Sequence, residues 1–303
     1  MKIVERGHNP TMRMVPSATA TIRARPVPPA QARTSLGHPA RRFRKLACRA
    51  ESEGVESEAV TPSSPELSAL TSGLVRSCSS AGPADAVSVS SLWDAQDPSK
   101  RHVVVCLSHF GDLTSWEYAQ KLRDSLEAID SKADGISVIG LGTVEAGRKF
   151  AELLNFPTTN LYAVNDVELY VRLGFSEGAF PDQNLNEYVR LLPMLAGIES
   201  PGTLQEVIRG YVGDRDAKQI FDRSPFDVLG KGYQRPFELA TLRLSNMIGI
   251  LPNWGELVPN SELICQQGGT LVFQGSSLVH LQKDTGILKY ASIDDLLAFL
   301  ESS

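Results

Sequence analysis

Apolar positions between residues 102 and 173 alternate between two patterns. Continuous apolar runs at 103–107, 136–141 and 160–164 are typical of strands covered on both faces. After each run, apolar residues recur at steps of three or four, which indicates an amphipathic helix. Strands that alternate with helices in this way predict βαβ units and a mainly parallel sheet.

The most informative junction lies in 102–129, where a strand leads through a short turn into a helix. The turn at 109–115 reads His-Phe-Gly-Asp-Leu-Thr-Ser. Thr114 and Glu117 match a T-x-x-E capping box, so the helix is predicted to begin at Ser115. Because a helix N-terminus offers free N–H groups and the positive end of the helix dipole, we expect the candidate site at this turn.

Residues 176–264 interrupt the alternation. They contain seven prolines and several short helical patterns, which predict a mostly helical insertion. Strand patterns return at 269–273 and 277–281 on either side of a Gly-Ser pair, the signal of a β-hairpin, and a helix follows at 294–300. This order predicts an α/β protein, a thioredoxin-like three-layer sandwich with a long, mostly helical insertion before the C-terminal β-hairpin and helix.

Charge is distributed unevenly along the chain. Residues 1–50 hold eleven Lys and Arg but one acid, Glu5, whereas residues 51–303 hold 19 basic and 34 acidic side chains, a formal charge of −15. An Arg-rich, acid-poor segment with many Ser, Thr, Ala and Pro residues is typical of a transit peptide, although a basic arm can also bind nucleic acid. Frequent proline favours a chloroplast address, in the stroma, over a mitochondrial one.

Composition divides the chain into three parts. We predict a plastid transit peptide at 1–50, a flexible acidic and Ser-rich tether at 51–85 with a helical pattern at 65–78, and a folded domain at 86–303 that contains the insertion. The acidic body makes nucleic acid and anionic lipid poor partners, which leaves a plastid protein as the expected class of partner. No apolar run reaches the roughly 18 residues of a membrane span, so none is predicted.

The four cysteines, Cys48, Cys78, Cys106 and Cys265, are scattered and form no C-x-x-C motif. Their spacing fits neither a disulfide framework nor a zinc site, so no metal is predicted. Glycines after the strand at 136–141 match part of a dinucleotide-binding fingerprint. Because an acid stands where the third glycine of that fingerprint belongs, no cofactor is predicted either.

Three short motifs follow one another along the chain: Phe110-Gly111 after an apolar strand, Val138-Ile139-Gly140 followed by Phe150-Ala151-Glu152-Leu153, and Gln266-Gln267-Gly268-Gly269-Thr270 before the hairpin. In this order they resemble motifs of the peroxiredoxin-like proteins of the alkyl hydroperoxide reductase/thiol-specific antioxidant (AhpC/TSA) family. The resemblance covers about residues 86–175 and 262–300. It implies a thioredoxin-like fold and thiol-dependent antioxidant chemistry.

The resemblance also shows what is missing. In family members with thiol chemistry, Phe-Gly is followed by Cys-x-x-Cys, and the matching positions here are Asp112 and Ser115. Peroxide or disulfide chemistry needs a thiolate at the head of the helix, which neither a carboxylate nor a hydroxyl replaces. We interpret Gly111, Asp112, Thr114 and Ser115 as a vestigial redox loop. Asp112 either holds a ligand or partner through its charge or stabilises the helix end.

Cys265 is the candidate catalytic residue if thiol chemistry survives. The loop that carries it, with Gly268 and Gly269, faces the active-site helix in the thioredoxin arrangement, and His109 is a candidate base beside Asp112. Cys265 can equally be a small, half-buried hydrophobe. Whether the protein is an enzyme stays open. Three functions remain: binding or redox-linked regulation without peroxidase chemistry, an antioxidant activity through Cys265, and a scaffold that docks a plastid complex through the insertion.

Overall fold

The computed structural model describes residues 64–79, 85–215, 217–223 and 235–302; the predicted transit peptide and residues 51–63 of the predicted tether lie outside these ranges. The strands of the described part are β1 Leu74–Ser77, β2 Ala86–Ser88, β3 Arg101–His109, β4 Gly135–Leu141, β5 Leu161–Val164, β6 Gly269–Gln274 and β7 Ser277–Lys283. Its α-helices are α1 Pro65–Ser72, α2 Leu113–Asp130, α3 Val144–Leu154, α4 Glu168–Arg172, α5 Glu187–Leu195, α6 Thr203–Val212, α7 Glu238–Ile250, α8 Trp254–Leu257 and α9 Ile293–Ser302.

The described strands form one seven-stranded sheet in the order β2-β1-β5-β4-β3-β6-β7. β3, β4 and β5 run parallel, as the alternation of strands and helices predicts. β6 pairs antiparallel with β3, and β7 pairs antiparallel with β6. The order β4-β3-β6-β7, with α2 after β3 and α9 after β7, is the thioredoxin-like arrangement, so the predicted fold class is confirmed.

Side chains of β3 alternate between the two faces of the sheet and fill two separate cores. Val103, Val105 and Leu107 pack on the face covered by α2, α3 and α9. Val104 and Cys106 pack on the opposite face, which α1 and α4 cover. A strand with both faces buried explains the continuous apolar run in its sequence, and the helices on both faces give the three layers.

The flexible tether predicted at 51–85 does not extend over residues 64–79, which fold into α1 and β1. Ser64 caps α1, because its Oγ accepts a hydrogen bond from the Leu67 N–H at 3.1 Å. Leu67 and Leu70 are buried against the sheet, and β1 pairs with β5. Burial of the helical pattern that the sequence shows in this stretch outweighs the polar composition around it.

The insertion between α4 and β6 is helical in its described part, where it holds α5 to α8. Its helix α7 is attached to α2 by polar contacts. The Arg243 Nε donates to Glu117 Oε2 at 2.7 Å, and Glu117 is fully buried. One turn further along, the amides of Gln120 and Asn246 exchange two hydrogen bonds of 3.0 Å. The insertion therefore lies directly on the helix whose N-terminus carries the candidate site.

Candidate functional site

The candidate site begins where β3 ends at His109 and α2 begins at Leu113. The cap of α2 is Asp112, whose Oδ1 accepts a hydrogen bond from the Thr114 N–H at 3.1 Å. The capping box predicted from Thr114 and Glu117 is therefore wrong, and the helix begins two residues earlier than expected. Tertiary contacts explain the difference, because the Thr114 Oγ1 instead accepts from the Leu288 N–H at 3.1 Å, and Glu117 pairs with the insertion.

A serine that the sequence pattern did not single out joins the two positions that match the missing cysteines. Ser108, the second-last residue of β3, donates its hydroxyl to Asp112 Oδ2 at 2.5 Å. The same hydroxyl lies 2.7 Å from Ser115 Oγ. Ser108 and Ser115 are buried. Asp112 and Ser115, the positions that the sequence resemblance matches to Cys-x-x-Cys, thus belong to a hydrogen-bonded hydroxyl–carboxylate cluster. Ser108 was missed because its place in an apolar strand gives no signal of its own.

Phe110 is the structural centre of the turn. The Trp116 Nε1–H donates to its carbonyl oxygen at 2.8 Å, and its ring is fully buried. A Cβ added at Gly140 would lie 2.3 Å from the ring, and one at Gly142 or Gly147 would lie within 3.0 Å. The glycines that suggested a nucleotide fingerprint therefore make room for Phe110.

His109 faces the insertion rather than forming a pair with Asp112. Its ring is buried and meets Trp254 of α8 edge-on at 5.9 Å between ring centroids. Its Nδ1 has no hydrogen-bond partner among the residues that the structure describes. Burial lowers the pKa of His109, and the nearby Asp112 charge only partly opposes this shift, so the environment favours the neutral imidazole. Val258, which directly follows α8, packs against Gly111, so the insertion covers the turn.

Asp284 is the second residue that the sequence did not single out. It directly follows β7, is buried, and donates its backbone N–H to the Gly268 carbonyl at 3.0 Å. Its Oδ1 has no hydrogen-bond partner in the described part of the chain. Burial raises the pKa of Asp284 well above its usual range, and the negative charge of Asp112 raises it further. The loop that follows Asp284 reaches the head of α2, where the Leu288 N–H donates to Thr114 Oγ1 at 3.1 Å. In the sequence Asp284 stands within Lys-Asp-Thr-Gly, a stretch typical of a loop, so nothing there marks it as a buried residue.

The Gly268-Gly269 loop lies beside β3, the strand that leads to the site. Gly269 pairs with Cys106 of β3, and the Gly268 carbonyl accepts from Asp284. Gln267 anchors the loop through its N–H, which donates to the Ser176 carbonyl at 2.8 Å. The structure thus brings the glycine loop, Asp284 and the head of α2 into one neighbourhood.

Cys265 lies in the core. It is 1% exposed, and its Sγ donates to the Glu187 carbonyl at 3.4 Å. Burial raises the pKa of the Cys265 thiol, an effect that Arg190 only partly opposes. Among the described residues, no hydrogen bond joins Cys265 to the turn at 108–115.

The other two described cysteines are also buried and free. Burial raises the pKa of Cys78 to about 12, and it raises the pKa of Cys106 further still. Cys106 and Cys265 belong to the cores on opposite faces of the sheet. A thiol acts as a nucleophile only as its thiolate, so these three environments suppress thiol reactivity.

Within the ranges that the structure describes, no three His, Cys, Asp or Glu side chains are grouped so as to hold a metal ion. No helix in those ranges is both long and apolar enough to cross a bilayer.

Two Xanthomonas campestris structures are similar: the bacterioferritin comigratory protein, from work titled as insights into its alkyl peroxide reduction activity, and a cysteine-to-serine mutant of peroxiredoxin Q. Each is 9% identical, covers 78% of this chain at a TM-score of 0.36, and is itself covered over 94% and 93% of its length, respectively. Likeness at this level supports no inference about mechanism. No curated protein matches the sequence.

A family profile described as "AhpC/TSA antioxidant enzyme" matches residues 121–284, more than half of the chain. The matched range contains the whole insertion and the glycine loop. It begins after the turn at 109–115, so it does not test the replacement of the two cysteines. The chain belongs to the AhpC/TSA antioxidant enzyme family.

Proposed function

We propose that this protein is a plastid stromal member of the AhpC/TSA family that has given up thiol peroxidase chemistry at the head of α2 and acts there in binding or redox-linked regulation. The observation that carries the proposal is the hydroxyl–carboxylate cluster. Ser108 donates to Asp112 and contacts Ser115, which supports the interpretation that oxygen side chains stand where related proteins carry a redox pair. Oxygen side chains in these positions can hold a ligand by hydrogen bonding, but they cannot form a disulfide.

The protein is expected to show no thiol-dependent peroxide reduction. The test is NADPH consumption with hydrogen peroxide, thioredoxin and thioredoxin reductase, using the full chain with Cys48→Ser so that Cys78, Cys106 and Cys265 are the only thiols.

Because burial suppresses all three thiolates, labelling of the folded protein by a maleimide is expected to be the same before and after peroxide, and to appear only on denaturation.

A positive control comes from the chain itself. The double variant Asp112→Cys/Ser115→Cys restores the C-x-x-C motif at the head of α2, and we expect it to gain measurable thiol–disulfide exchange while Ser115→Cys alone does not. Turnover in the parent protein that Cys265→Ser abolishes would instead establish Cys265 as a catalytic residue, and the binding function would be rejected.

Plastid targeting rests on residues 1–50, whose Arg-rich, acid-poor composition supports a transit peptide. A fluorescent fusion of the full chain is expected to enter chloroplasts, whereas a fusion that lacks residues 1–50 is expected to stay in the cytosol. The measurement is fluorescence microscopy together with import into isolated chloroplasts and the size of the imported product. Equal import of both fusions would contradict the proposed address.

The other two functions remain predictions. An antioxidant activity through Cys265 would need that thiol to leave its core position beside Glu187. A scaffold that docks a plastid complex through residues 176–264 would be supported if deletion of the insertion released a co-purifying partner.

A further inference from the structure

The insertion exposes far more apolar side chains than the rest of the described chain. Twenty large hydrophobic residues of the described chain are exposed, and fifteen of them lie between residues 185 and 251. Eleven of them project from α5, α6 and α7, three helices that pack side by side. We call these eleven the insertion face: Tyr188, Val189, Leu192, Leu195, Leu204, Val207, Ile208, Tyr211, Val212, Leu244 and Ile248.

The insertion face has helical periodicity. On α6 the exposed apolar residues fall at steps of three, one, three and one, and on α7 Leu244 and Ile248 are four residues apart. Each helix therefore presents an apolar stripe outwards. A surface helix normally turns such a stripe towards the core and keeps its charged residues in water.

The charged residues of these three helices are buried or only partly exposed. Arg243 pairs with Glu117 of α2 and so attaches the insertion to the domain, whereas Arg209 pairs with Glu206 and Arg190 donates to the Ala179 carbonyl within the insertion. The exposed residues of the three helices therefore include apolar side chains but no charged one. Contiguous exposed apolar patches larger than a few hundred Å² mark interaction sites.

We propose that the insertion face is the interface of a homodimer, in which the α5–α6–α7 surface of one copy packs on the same surface of a second copy. The area is sufficient: eleven side chains of this size, each about half exposed, offer on the order of 1,000 Å², and a stable interface needs about 800 Å² from each partner. The proposal goes beyond the function proposed for the head of α2 and does not depend on it.

Charge favours a second copy over other occupants. Residues 51–303 carry a formal charge of −15, so an anionic lipid surface is repelled, and a basic partner would be drawn to the acidic surfaces rather than to this one. An uncharged apolar face is complementary to itself. It pairs with a copy of itself about a two-fold axis, and the charges of the two bodies stay outside the contact.

The test is the mass of the full chain in solution, measured by light scattering after size exclusion and by analytical ultracentrifugation. We expect a dimer. Ile208→Glu and Ile248→Glu, each at a position more than half exposed, are expected to raise the dimer dissociation constant at least about 100-fold, because each buries an unpaired carboxylate in the interface. Leu74→Glu is the matched control: Leu74 is exposed to the same 58% as Ile208 but lies on β1, and this variant is expected to stay dimeric.

Unchanged circular dichroism and melting temperature show that the variants are folded, since all three side chains are exposed. A monomeric parent protein at tens of micromolar would overturn the proposal. Sedimentation of that monomer with phosphatidylcholine vesicles would assign the face to a lipid surface instead. A dimer that survives both insertion variants would also overturn it, because the interface would then lie elsewhere.

Discussion

Gly268→Ala is expected to lower the free energy of unfolding by about 3 kcal/mol or more. A Cβ at this position would lie 1.9 Å from the carbonyl oxygen of Cys106 and 2.9 Å from its carbonyl carbon. Both atoms are backbone in the middle of the sheet, where β3 pairs with β6 from Cys106 and Gly269 onwards. The clash cannot be relieved by a rotamer change, so relief requires β3 and β6 to separate.

Chemical denaturation monitored by circular dichroism measures the loss. Gly255→Ala is the matched control, because a Cβ there meets no atom within 4 Å and the residue lies in α8. That variant is expected to be neutral or stabilised by up to about 1 kcal/mol. A Gly268→Ala protein within about 0.5 kcal/mol of the parent would show that the glycine loop has room to move away from β3, and the close packing beside the site would be refuted.

The fold was largely predictable because its determinants are local. Each parallel strand is a continuous apolar run, and each covering helix has its own stripe, so residues 103–173 show the βαβ order without tertiary information. The hairpin followed from the Gly-Ser pair between two short strands. The same local logic failed at the N-terminal end, where composition predicted a tether and α1 with β1 is observed. An eight-residue helix has little stability of its own, and burial of Leu67 and Leu70 in the fold supplies it.

The candidate site was predictable in position but not in composition. The strand–turn–helix junction located Asp112 and Ser115, whereas Ser108 was missed because a serine within an apolar strand gives no signal of its own. Asp284 was missed because the residues that give it a role are distant in sequence. The capping box failed for the same reason: Thr114 and Glu117 have the right spacing, but Leu288 and Arg243 use their side chains. The insertion is the extreme case, because its helices expose apolar side chains, and a periodic pattern alone does not say which side of a helix faces the domain.

The strongest of these long-range contacts leads to a second large effect. Arg243→Met is expected to lower the free energy of unfolding by about 3–5 kcal/mol at pH 7, because it leaves the Glu117 carboxylate buried without its cation. Glu117 is fully buried, and the Arg243 Nε lies 2.7 Å from its Oε2. The remaining partners are weaker: Tyr290 donates a hydrogen bond of 2.5 Å, and the half-exposed Lys121 lies 3.6 Å away. Lys149→Ala, which removes a surface pair with Glu152, is the control and is expected to cost less than about 0.5 kcal/mol.

The loss should depend on pH with a definite sign. Burial acts to raise the pKa of Glu117, but Arg243, Lys121 and Tyr290 outweigh it and hold the pKa below the ordinary value of 4.5. In the parent protein, the stabilisation that the ionised Glu117 gains from its partners is therefore complete above pH 4.5. It is lost only as the pH falls through the lowered folded pKa of Glu117. In Arg243→Met the effect of burial is no longer outweighed, so the folded pKa of Glu117 rises above the unfolded value. The penalty is then largest at neutral pH and shrinks as the pH falls towards 4.5.

Denaturation of both proteins at several pH values between about 4.5 and 7.5 measures the difference. The double variant Glu117→Gln/Arg243→Met removes the stranded charge, so it is expected to recover at least half of the loss and to show little pH dependence over this range. A penalty that is independent of pH, and that the double variant does not relieve, would mean that Arg243 acts through packing and its bond to the Glu206 carbonyl alone. A penalty that depends on pH and that the double variant relieves would instead establish that a buried ion pair, rather than apolar packing, holds the insertion on α2, the helix that carries the site.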